Sequence, residues 1–159
     1  MTEDTDDGDA AQTFLATAGM STRELPEPYP HIELFLDVPG MYDWPDLLSL
    51  GERLAELAVL PFAKRSSYAP GQLIYHVSMP LYHGMTCLLV TEWGGGPPPE
   101  WLPDITPLVR LLALHPLYES EADVIAKVGV IEAYRRFTAH GVDWSQPDRL
   151  PAPLDLNPK

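Results

Sequence analysis

The chain predicts an α+β fold, a mixed β-sheet covered by helices. Three observations carry that expectation: strand-period alternation at Ile32 to Val38, a helical leucine stripe from Leu47 to Leu57, and a second helical stripe towards the C-terminus. The 159 residues suit one domain with a real core. Apolar residues make up 45% and charged residues 21%, so that core can form without metals or disulfides. Residues 1–10 are read as an acidic tail and 11–155 as the folded unit.

Thr13 to Thr17 (TFLAT) is a short β-prone run closed by Ala18-Gly19, and Ser21 to Pro30 is a proline-rich loop. In Ile32 to Val38 the residues Ile32, Leu34, Leu36 and Val38 share one face. Asp43-Trp44-Pro45 marks a helix start, because proline in the first turn lacks only an N–H that would have no partner there. Leu47, Leu50, Leu54 and Leu57 follow on one helical face, and Pro61 is expected to stop the helix. Gln72 to Ser78 and Thr86 to Thr91 read as strands. Leu108 to His115 reads as a third, with Pro107 and Pro116 favouring a short element over a helix. A long helix is expected over Ser120 to His140. Ser120 would cap it, Val124, Val128, Ile131, Tyr134 and Phe137 would form its stripe, and Gly141 would end it.

The net charge of −13 argues against a nucleic-acid or anionic-membrane partner, each of which needs a basic surface, and permits a basic protein partner. Glu3, Asp4, Asp6, Asp7 and Asp9 crowd the N-terminus, the opposite of a signal peptide, so a cytoplasmic location is expected. Cys87 is the sole cysteine and lies in an apolar run, where burial keeps a thiol inert.

No residue pattern points specifically to catalysis, and no cofactor is expected. Gly94-Gly95-Gly96 lacks the lysine of a phosphate loop. His31, His76, His83, His115 and His140 show no helical zinc spacing. Glu33 and Asp37 fall on one strand face. As paired acids they would suit a hydrolase, as would His76 with His83, but alternation favours a solvated face for the carboxylates. The partner-binding candidates are Trp93 and Trp101, which flank the glycine-proline loop, and the acidic, aromatic corner of Tyr118, Glu119 and Glu121.

An ordered series of segments resembles the suppressor of fused (Sufu) domain family over Thr13 to Pro151. It runs TFLATAGMS, HIELFLDVP, DWPDLLSLGERLAEL, APGQLIYHVSMPL, CLLVTE, LLALHPLYESE, RRFTAHGVD and PDRLP. The resemblance implies a mixed α/β domain without known enzymatic activity. Animal members bind Gli-type transcription factors; bacterial members are commonly immunity proteins that neutralise a cognate toxin of a polymorphic toxin system. It therefore implies a non-enzymatic protein-binding module, with a basic toxin as the expected partner. The sequence departs from the family in its short N-terminal part and in lacking the second animal domain, so no peptide-contacting residue is carried over. A fragment of a larger Sufu-like assembly and a hydrolase-like enzyme are the competing expectations.

Overall fold

The computed structural model describes residues 11–92 and 109–153. Among these residues five strands form one mixed sheet: β1 (Gln12–Ala16), β2 (Ile32–Pro39), β3 (Leu73–Tyr75), β4 (Cys87–Glu92) and β5 (Arg110–Leu117). Their order is β1-β2-β5-β4-β3, with β2 and β5 parallel and the other neighbours antiparallel. Among the described residues β1 and β3 are therefore the two ends of the sheet.

The predicted α+β architecture is the one observed. Helix α1 (Trp44–Lys64) follows β2, and α2 (Glu119–Val128) and α3 (Val130–Ala139) follow β5. The period of two in the strands assigns their residues to two layers. Ile32, Leu34, Leu36 and Val38 of β2 join Leu88 and Val90 of β4 and Leu112 and Leu114 of β5 in a core with Leu50, Leu54 and Leu57 of α1. The alternate residues Cys87, Leu89 and Leu117 pack with Ala122 and Ile125 of α2 and Ala133 and Phe137 of α3. The sheet thus carries α1 on one face and α2 with α3 on the other.

Helix α1 starts as its sequence dictates. Asp43 is the N-cap, its carboxylate accepting the Asp46 N–H at 3.3 Å, and Pro45 lies in the first turn. Its end does not follow the expectation, because Pro61 lies inside the helix, which continues to Lys64. Proline at 61 removes the N–H that would bond the Leu57 carbonyl. The buried Tyr68 hydroxyl takes that carbonyl instead, at 2.8 Å, so the ladder is repaired by a side chain. Arg65 then ends the helix in the left-handed region at φ 50°.

Two further expectations are corrected. The strand anticipated over Gln72 to Ser78 is confined to Leu73–Tyr75, because His76 turns left-handed at φ 60°. The helix anticipated from Ser120 to His140 is two helices broken at Gly129, whose φ of 84° and ψ of 162° are open essentially to glycine alone. Tyr118, not Ser120, is its N-cap, and the Tyr118 N–H donates to the Glu121 carboxylate at 3.0 Å. The break turns Ile131 and Tyr134 of the expected stripe outward while Ala133 and Phe137 go inward.

Candidate partner-binding corner at the β3 edge

The β3 end of the sheet meets the start of α2. Val90 N–H donates to the Gln72 carbonyl at 2.9 Å, and Ile74 pairs with Leu88 in the same phase. The alternation of an antiparallel pair therefore turns the backbone groups of Leu73 and Tyr75 towards the edge that no strand pairs with among the described residues. Tyr75 is 38% exposed there. Its phenol is pushed up from the ordinary tyrosine value, first by partial loss of solvent, then by the carboxylates of Asp123 and Glu119. Helix α2, which carries those carboxylates, packs against β3, and among the described residues no strand pairs with the outer edge of β3. Glu119 and Asp123 are both exposed, and neither has a cation partner among the described residues.

The rest of the predicted acidic corner is structural. Glu121 is fully buried. Its carboxylate accepts from both terminal nitrogens of Arg149 and from the Ala152 N–H at 2.8 Å. Tyr118 donates its hydroxyl to the Arg149 carbonyl at 2.7 Å, and the Arg149 guanidinium lies 5.4 Å from the centre of its ring. These contacts clamp the C-terminal segment against α2 and set the platform from which Glu119 projects. Tyr75 and Asp123 escaped the sequence reading because only the folded sheet brings residue 75 beside residues 119 and 123. Trp93 and Trp101 lie outside the described residues.

The candidate acids of β2 go to separate partners. Glu33 is buried rather than solvated, which corrects the expectation from alternation. The turn after β1 folds over it, so its carboxylate accepts from the Thr17 and Ser21 hydroxyls at 2.5 and 2.7 Å. The Gly19 and Ser21 N–H groups add two more bonds, each 2.9 Å. Burial alone would raise its pKa, but these four bonds outweigh it and hold the carboxyl below its ordinary range. Asp37 accepts from the Gln12 side chain at 2.7 and 2.6 Å. His76 and His83 are both exposed, and among the described residues no group of three metal-ligating side chains comes together. Cys87 is buried, and its thiol is pushed up by burial. No helix among the described residues is long and apolar enough to cross a membrane.

Comparison with known proteins agrees with this architecture. A crystal structure described as that of a SUFU (suppressor of fused protein) homolog from Neisseria gonorrhoeae FA 1090 superposes with a TM-score of 0.63 at 18% identity. The match covers 89% of this chain and 71% of that one. A search of curated proteins gives no match. The family model for suppressor of fused protein (SUFU) matches residues 5–150, beginning before the first strand and ending inside the segment clamped by Glu121. Over that span, and with the mixed sheet and helices described above, the chain belongs to the suppressor of fused family.

Proposed function

We propose that the chain is a non-enzymatic protein-binding module that takes a basic partner at the β3 edge. More specifically, we propose a cytoplasmic, bacterial immunity-type protein that neutralises a toxin by binding it. The observation that carries this reading is Tyr75, exposed on β3 where α2 with Glu119 and Asp123 packs; among the described residues no strand pairs with that edge and neither carboxylate has a cation partner. An open edge offers main-chain hydrogen bonds to an incoming strand. The aromatic ring supplies an anchor, and the carboxylates, on a chain of net charge −13, favour encounter with a cationic surface.

The test is affinity capture from the native host with tagged protein at low salt, read by mass spectrometry. One basic protein should be enriched, released at high salt, and lost when Glu119→Lys and Asp123→Lys are combined. Co-expression should rescue cells from that protein if it is a toxin. A partner whose capture ignores both salt and the two charge reversals would overturn the site, and failure of rescue would overturn the immunity role.

A further inference from the structure

Among the described residues, the opposite end of the sheet is a second unpartnered surface, with a different chemistry. Gly40 N–H donates to the Ala11 carbonyl at 2.7 Å, and Thr17 N–H donates to the Leu34 carbonyl at 2.9 Å. Odd-numbered residues of β1 therefore bond to β2, and Gln12, Phe14 and Ala16 turn their backbone groups outward. Among the described residues no strand pairs with that edge.

Helix α1 lies beside the edge with an apolar arc wider than its buried face. Leu50, Leu54, Leu57 and Pro61 are buried. A second stripe, at spacings of three and four, runs through Trp44, Leu48, Gly51, Ala55, Val59 and Phe62. Trp44 is 73% exposed, Leu48 48% and Val59 62%. Between this stripe and β1 lies a groove of about 660 Å³ whose lining includes Gly51, Ala55 and Ala58. On the other face of the same edge, Phe14 is 59% exposed.

We propose that the occupant of this surface is a second copy of the chain, joined edge to edge through β1 about a twofold axis. Antiparallel pairing of two β1 strands puts Phe14 opposite Phe14 of the other copy. The outward groups of Gln12, Phe14 and Ala16 are then satisfied reciprocally. The axis is perpendicular to the sheet, so both α1 helices lie on one side of it and their second stripes face each other. Gly51 and Ala55 allow close approach, while the two Phe14 rings meet on the other side. A patch that complements itself is what a twofold contact requires.

The size is sufficient. Phe14, Trp44, Leu48 and Val59 together leave on the order of 500 Å² of apolar surface per copy. That is about 1,000 Å² across the axis before strand backbones and Phe62 are included, and stable interfaces begin near 1,200 Å². The stripe from Trp44 to Val59 is about 22 Å long, a length that a facing helix covers and a short added strand does not. The net charge of −13 opposes self-association, so salt should strengthen this contact. That is the reverse of its effect on a basic partner at β3.

Sedimentation of the full chain over a range of concentrations should show a species of twice the 17.7 kDa chain mass, populated further in high salt. Ala55→Glu, at an exposed position, should return it to monomer with the circular dichroism spectrum unchanged, and its melting should match that of the unsubstituted chain at dilutions where both are monomeric. Phe14→Cys should cross-link under mild oxidation at least tenfold faster than the exposed control Ile131→Cys, because residues opposite one another in such a pair have Cα atoms about 5.5 Å apart, within disulfide reach. A monomer at all concentrations, or a dimer indifferent to Ala55→Glu and cross-linking equally at both positions, would overturn the proposal. Slowed amide exchange at Phe14 and Ala16 in a monomer would do so too, by assigning the groove to another segment.

Discussion

Glu121 and Arg149, 28 residues apart in the chain, meet in the interior as a two-point ion pair, with side-chain exposures of 0% and 8%. The pair ties the start of α2 to the C-terminal segment. Removing one member leaves the other charge buried and uncompensated. Glu121→Gln should therefore cost about 3 kcal/mol in urea unfolding, whereas Glu121→Leu with Arg149→Met should recover most of that. A loss under about 1 kcal/mol for the single variant would mean the pair behaves like a surface bridge.

Glu33 should contribute an acid-sensitive part of stability. Its folded pKa lies below the ordinary 4.5. The contribution is therefore complete above about 4.5 and is lost as pH falls through the lower folded value. Glu33→Gln should destabilise the protein at neutral pH and flatten its acid limb, measured as denaturation midpoint against pH. An acid limb unchanged in the variant would assign the acid sensitivity to other carboxylates.

His115 acts with the opposite chemistry but in the same direction. Loss of solvent around its ring pushes it from 6.5 down to about 4. Thr91 Oγ1 lies 2.8 Å from its Nε2, and Trp144 stacks on its ring at 4.7 Å. The unfolded chain binds a proton near 6.5 that the folded chain refuses until about 4. Stability should thus fall as pH drops from 6.5 to about 4, by on the order of 3 kcal/mol, and level off below. Proton NMR titration of the ring reads this directly, and a folded pKa near 6.5 would contradict it.

Gly129 separates α2 from α3. A Cβ there would meet nothing within 4 Å, so the cost of a side chain is backbone conformation alone. Gly129→Ala should cost about 1–3 kcal/mol. A neutral or stabilising result, with more helix by circular dichroism, would mean that the two helices can run as one.

Much of the fold was legible because its local signals agree. Alternation in Ile32 to Val38 and the leucine spacing after Asp43 each fix an element and its buried face. What was not legible depends on contacts from afar. Pro61 reads as a stop until Tyr68 supplies the missing donor to Leu57. Glu33 reads as solvated until the turn carrying Gly19 and Ser21 covers it. The stripe from Val124 to Phe137 runs through Gly129 without a phase error large enough to reveal the break. Of the candidate site, Glu119 could be picked from an acidic run, but Tyr75 and Asp123 become its neighbours only through the strand order.

An open sheet with two unlike ends has a hazard that a closed barrel lacks. If β1 of one molecule could pair with β3 of the next, every addition would expose a fresh acceptor and growth would be unlimited. Here the ends are mismatched. β1 is a five-residue strand flanked by apolar surface. β3 is a three-residue strand, cut off by the left-handed His76 and bordered by carboxylates. The kink that shortened the expected strand is thus also a terminator, one that disfavours head-to-tail growth of β1 onto β3.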